Sequence, residues 1–120
     1  MADLKGQTVA TVSGSAAERY LTSSGYKVRG FPDIEAACGD LAAGNVKAVV
    51  YDAPILRYYL TENAGANFQL VGEVFEKQDY GFALQQGSPL RKRINTALLT
   101  LGEQGFFSDL DKKWFAPAKP

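Results

Sequence analysis

The sequence predicts an α/β domain with a mostly parallel sheet, followed by a purely helical segment. Three observations carry that expectation. Strand-like and helix-like stretches alternate through the first two-thirds of the 120 residues, the pattern of βαβ units joined by right-handed crossovers. "VKAVVYD" (46–52) is a nearly continuous apolar run, as expected of a strand buried on both faces. Beyond "LQQGSP" (84–89) no strand-like stretch remains.

Taken in order, "QTVATV" (7–12) reads as a strand and residues 16–23 carry helix formers. "YKVRGF" (26–31) is again β-like. Pro32-Asp33 then opens a helix whose Ile34, Ala37, Cys38 and Leu41 keep helical spacing up to a stop at Gly44. After the 46–52 strand, Pro54 suits the first turn of a helix over "APILRYYLTEN". "FQLVGEVF" (68–75) and "YGFAL" (80–84) read as short strands. Ser88 can cap a helix with Pro89 in its first turn, "PLRKRINTALLTLGEQG". Gly105 separates that helix from a last one carrying Phe106, Phe107, Leu110, Trp114 and Phe115, and "APAKP" reads as a frayed tail.

Composition narrows the function. Apolar residues make up 46% and charged residues 22%, the balance of a globular domain. Thirteen basic and thirteen acidic residues cancel, so no global field attracts nucleic acid or an anionic membrane. No apolar run approaches spanning length, and "MADLKGQTV" lacks the charged and apolar regions of an export signal, so the chain as given fits either a cytoplasmic protein or a piece of an exported one cut at a domain edge. Cys38 is the only cysteine and reads as a small packed helix residue. Histidine is absent. That removes the commonest general base, every Ser-His pair and most transition-metal sites. No nucleophile–base pair, metal site or cofactor motif is expected.

Ligands of open α/β sheets gather beyond the carboxyl ends of the strands. Two stretches fall there. Ser13, Gly14, Ser15, Ala16 and Ala17 join the first strand to its helix. A helix N-terminus offers unpaired N–H groups and partial positive charge, and small residues let a carboxylate or phosphate reach the backbone. A tight turn needing no ligand would use the same residues. Asp52 ends the 46–52 strand, where a partly desolvated carboxylate needs a cation or several donors. It could equally cap the following helix. Tyr51 is placed to line the same cleft, whereas Tyr58 and Tyr59 fit helix packing and "RKR" (91–93) a solvated face. Together, an anion receptor and a carboxylate at neighbouring strand ends match a zwitterion. A phosphorylatable receiver domain is excluded because "VSGS" stands where an acidic pair is needed, and the turn has neither GxGxxG nor GK[ST].

Three blocks, "DLKGQTVATVSGSAAERYL", "FPDIEAACGDLAAGNVKAVVYDAPILRYYL" and "VFEKQDYGFALQQGSPLRKRINTALLTLGEQGFFSDLDKKWF", cover nearly the whole chain. In order and spacing they resemble the second half of bacterial solute-binding proteins for polar amino acids, whose fold also forms the ligand-binding core of ionotropic glutamate receptors. The resemblance implies a three-layer, periplasmic-binding-protein-like single lobe over 1–85, and a helical segment over 86–120 that packs on a first lobe in the family. It implies that the turn matching Ser13 to Ala17 takes the carboxylate of a glutamate- or glutamine-like amino acid and that the acid matching Asp52 takes its ammonium. Ser15 and Ala16 stand where the family commonly has Thr or Gly, and Val12 where it often has Lys. It further implies no catalysis, an extracytoplasmic setting, and a transporter permease as the family's partner. Because a first lobe is missing, ligand binding is expected to be weak and the C-terminal helices are expected to pair with a second copy. The alternative reading is a stand-alone lobe that self-associates and leaves its ligand site idle.

Overall fold

The structure is a computed structural model and describes residues 2–115. Two compact units divide it, one reaching to Leu70 and one starting at Val71.

In the first unit, strand β1 (Thr8–Val12) leads through a turn into helix α1 (Ala16–Ser23). Strand β2 (Lys27–Phe31) and helix α2 (Ile34–Ala42) follow, then β3 (Ala48–Val49) and helix α3 (Ala53–Glu62). The sheet order is β2-β1-β3 and both pairings are parallel, as the alternating sequence predicts. In register, Val9 pairs with Val28 and with Ala48, and Thr11 pairs with Gly30.

Strand β1 is central, which explains why its middle residues Val9, Ala10 and Thr11 are all buried. Period-2 alternation sends them to opposite faces. Ala10 joins Ala37 and Val46 in one cluster, backed by Phe31, Leu41 and Val49. Val9 and Thr11 face the other way, and Leu21 of α1 is fully buried as well. Right-handed crossovers in the order β2-β1-β3 put α1 and α2 on opposite faces, giving three layers.

Local signals fix the helix ends. Asp33 caps α2, its Oδ1 accepting the Ala36 N–H at 2.8 Å. Beyond its end Gly44 takes φ +76°, and the Gly44 and Asn45 N–H groups bond back to Leu41 O (3.0 Å) and Asp40 O (3.1 Å). Arg29 of β2 ties to Asp40 of α2 at 2.8 Å, a half-exposed ion pair contributing at most about 1 kcal/mol.

Three expectations need correction. The 46–52 run forms a ladder only at Ala48–Val49, extended by the Lys47 N–H to Thr8 O (3.0 Å) and the Val50 N–H to Ala10 O (2.9 Å). It lies at the sheet edge with one neighbour, so Val46 is buried while Lys47 is exposed. Residues 68–75 and 80–84 are not strands. Apolar alternation supplies propensity, but a strand also needs a partner for its backbone groups, and none is recorded among the described residues. The first late helix starts one residue after Pro89, as α4 (Leu90–Glu103), with Ser88 Oγ accepting the Leu90 N–H at 3.3 Å.

The second unit carries α4 and α5 (Phe106–Phe115), which turn back on each other at Gly105. Phe106 and Phe107 stack edge-to-face at 6.3 Å, and the Phe107 ring lies near Gly102. No described residue of this unit is buried. The "APAKP" tail lies outside the described residues.

Candidate functional site

The turn from β1 to α1 is built by its own residues. Gly14 adopts φ +75°, which a side chain would strain, so a glycine is needed there. Ser15 is the N-cap of α1, its Oγ accepting the Glu18 N–H at 3.0 Å. Glu18 returns the favour one residue upstream: the Gly14 N–H donates to its Oε2 at 2.7 Å. The Arg19 guanidinium donates to Gly14 O at 3.0 Å. The Ser15 N–H reaches Val12 O at 3.4 Å, and the Ser13 N–H donates to Phe31 O at 2.8 Å, prolonging the β1–β2 ladder. The amides of Ala16 and Ala17 belong to the first helical turn and have no intrahelical acceptor. Ser13 and Gly14 are exposed, while Ser15, Ala16 and Ala17 are half-buried.

Asp52 follows β3 and stands at the N-cap position of α3, yet its side chain makes no capping hydrogen bond. It is exposed, not partly desolvated as expected, because the strand ends at Val49, three residues before Asp52. Tyr51 beside it is half-buried. Since β1 and β3 are adjacent and parallel, the Ser13–Ala17 turn and the Tyr51–Asp52 pair follow the carboxyl ends of neighbouring strands. That is the arrangement a small zwitterion would use, with amides for its carboxylate and an acid for its ammonium.

Two residues that support the turn, Glu18 of α1 and Gly30 of β2, escape a reading based on small residues alone. Ser15-x-x-Glu18 is a capping-box spacing and was open to recognition as such. Gly30, inside strand β2, was a sign that some group approaches its backbone closely. Two groups do so: a Cβ built on Gly30 would collide with Ser13 Oγ and come within 2.7 Å of Glu18 Oε1.

A shallow cavity of about 420 Å³ lies elsewhere in this unit, lined by Cys38, Leu41, Tyr59 and Phe68 among others. It includes none of the strand-end residues. Burial pushes the Cys38 thiol pKa up, partly offset by its hydrogen bond with Tyr59. Burial likewise raises the Tyr59 hydroxyl, with the neighbouring Cys38 adding to the effect.

A three-layer lobe with a parallel sheet, and with an amide-rich turn and an acid at adjacent strand ends, has the architecture of one half of a periplasmic-binding-protein-like receptor. No family model matches the chain. Solved structures and curated proteins do. The ligand-binding core of GluR0 from Nostoc punctiforme, in complex with L-glutamate, is 42% identical, with a TM-score of 0.77 over 98% of this chain and 55% of that one. An ancestral arginine-binding protein bound to glutamine is 34% identical, with a TM-score of 0.71 over 95% of this chain and 52% of that one. The glutamate [NMDA] receptor subunit 1 of Drosophila melanogaster is 32% identical over 121 residues, 92% of this chain and 12% of the receptor. Over nearly its whole length the chain is thus similar to part of polar-amino-acid-binding domains and glutamate-receptor ligand-binding cores. It spans about half of the solved binding cores and about an eighth of the curated receptors.

Proposed function

We propose that this chain is the second lobe of an amino-acid-binding domain and binds a glutamate- or glutamine-like ligand without catalysis. Ser13, Gly14, Ser15, Ala16 and Ala17 receive the ligand carboxylate, Asp52 its ammonium, and Tyr51 lines the cleft. The observation that carries the reading is the 42% identity, over 98% of the chain, to a core in complex with L-glutamate. The geometry agrees chemically: the first-turn amides of α1 and the Asp52 carboxylate follow adjacent strand ends. In this reading residues 1–85 form the lobe, and 86–120 form the segment that packs on the other half of the core. The family's usual setting makes the location extracytoplasmic and a transporter permease the downstream partner. Among the described residues, no helix is long and apolar enough to cross a membrane.

A clamshell gains affinity by closing over its ligand and expelling water. Three charge-assisted contacts at roughly 1.5–3 kcal/mol each barely offset association costs, so this lobe alone binds in the millimolar range or weaker. Calorimetry with glutamate, glutamine and arginine tests the assignment. Wild type gives measurable heats with at least one of them, and Asp52→Ala weakens that binding about ten-fold or more. Identical heats from both proteins reject the role of Asp52.

A second reading rests on a separate observation. Val71, Tyr80, Phe82, Leu99, Phe107 and Trp114 of the second unit are all exposed. A surface so rich in large apolar groups favours a self-associating lobe whose ligand site is idle.

A further inference from the structure

Gly30 is costly where it stands. A glycine within a strand loses backbone entropy and packs nothing, and Gly30 has no left-handed φ that would demand it. What its missing side chain permits is the close approach of Ser13 Oγ and of the Glu18 carboxylate. The Glu18 carboxylate lies over Gly30, with Oε1 2.7 Å from where a Cβ would be and with Ser13 Oγ packed against the same point. From there Oε2 takes the Gly14 N–H at 2.7 Å while the Glu18 N–H holds Ser15 Oγ at 3.0 Å. One residue therefore grips the turn on both sides of its left-handed glycine. The Arg19 guanidinium on Gly14 O, at 3.0 Å, holds the next peptide unit, on the far side of the Gly14 Cα.

We infer that Glu18 is a positioning residue for the ligand-carboxylate turn, acting through Gly14 and Ser15, and that Gly30 is the gap its carboxylate requires. This rests on the amino-acid-binding reading of the same turn. Glu18 does not touch the ligand. Its carboxylate occupies the Gly14 amide, which leaves the first-turn amides of Ala16 and Ala17 as the backbone donors for an incoming carboxylate. It also fixes those donors before the ligand arrives, so binding loses less entropy in ordering them. A charge-assisted bond to a backbone N–H is about twice as strong as a neutral one. Glutamine at position 18 keeps the shape and the side-chain oxygen but gives up the charge.

The test is amide NMR on the full 120-residue chain, wild type against Glu18→Gln, Gly30→Ala and the double variant, each titrated with L-glutamate and with L-glutamine. Without any ligand, the Gly14 amide proton in wild type resonates downfield, as expected of a bond to a carboxylate, and moves upfield in Glu18→Gln and in Gly30→Ala. With ligand, the Ala16 and Ala17 amides respond in wild type, and the apparent Kd rises about five-fold in Glu18→Gln and at least as much in Gly30→Ala. The double variant is no worse than Gly30→Ala alone, because both changes break the same contact. An unchanged Gly14 shift in Glu18→Gln overturns the grip itself. A changed shift with unchanged affinity overturns the positioning role. No amino-acid response in wild type, with the Gly14 shift still dependent on Glu18, overturns the binding reading and with it the role in binding, and the ligand-free spectra distinguish that failure from the first.

Discussion

At Ser15 a single hydroxyl satisfies a first-turn donor of α1, the Glu18 N–H. Replacing Ser15 by alanine leaves that donor to water and costs about 1 kcal/mol, read as a lowered urea midpoint at unchanged slope; Ser15→Asp restores most of it. Cys38 shows the opposite kind of environment. Its thiol is buried in α2 and its pKa is pushed up by that burial, so its thiolate fraction in the native state is smaller than in the unfolded chain at any pH below its native pKa. At pH 8 a thiol reagent labels it at least about ten times faster in denaturing urea than in buffer, and equal rates would contradict the burial. The residues easiest to read from sequence were those with a local signature: Asp33 before a helical run, Gly44 after it, the small residues after Val12. Glu18 carried a signature too, but its partnership with Gly30 joins residues twelve positions apart in different elements, and only the β1–β2 pairing reveals it.

The same division between local and distant causes runs through the elements. Helices were legible because their ends are written within four residues: Asp33 at the opening of α2, Pro54 in a first turn, Gly44 and Gly105 as stops. Strands were legible only where a neighbour exists. β1 and β2 match their predicted spans to within a residue because each pairs along its whole length. β3 is short because it pairs with β1 only at Ala48 and Val49, and 68–75 and 80–84, equally β-like in composition, have no ladder. Two glycines, one inside α2 and one just past its end, separate the local effects with opposite signs. Gly39 lies inside the helix with open space around its Cα, so Gly39→Ala stabilises by up to about 1 kcal/mol. Gly44 stands just past the end at φ +76°, so Gly44→Ala destabilises by roughly 1–2 kcal/mol. Thermal melts of the two variants should move in opposite directions, and a shared direction would mean that the helix ends elsewhere.

For the whole molecule, the distribution of burial decides what the chain needs. Every buried residue among those described, from Val9 to Val46, belongs to the first unit. The second unit holds two amphipathic helices and a run of exposed large side chains, with Phe82 and Leu99 each about 70% exposed. Such a unit gains little from folding by itself, because it orders its backbone without removing much apolar surface from water. The zero net charge offers no repulsion to keep copies apart. At tens of micromolar, light scattering should therefore return about twice the 13.0 kDa of a single chain. Leu99→Glu and Phe107→Glu, which place charge on that apolar surface, should move the mass toward the monomer and leave the β1–β2 amide resonances where they are. If the association runs through these helices, amino-acid binding at the strand ends should be unaffected by either variant. A wild-type chain that stays monomeric at those concentrations while α4 and α5 remain protected from amide exchange would mean that the helices are stable uncovered, and would remove the reason to expect a partner on that face.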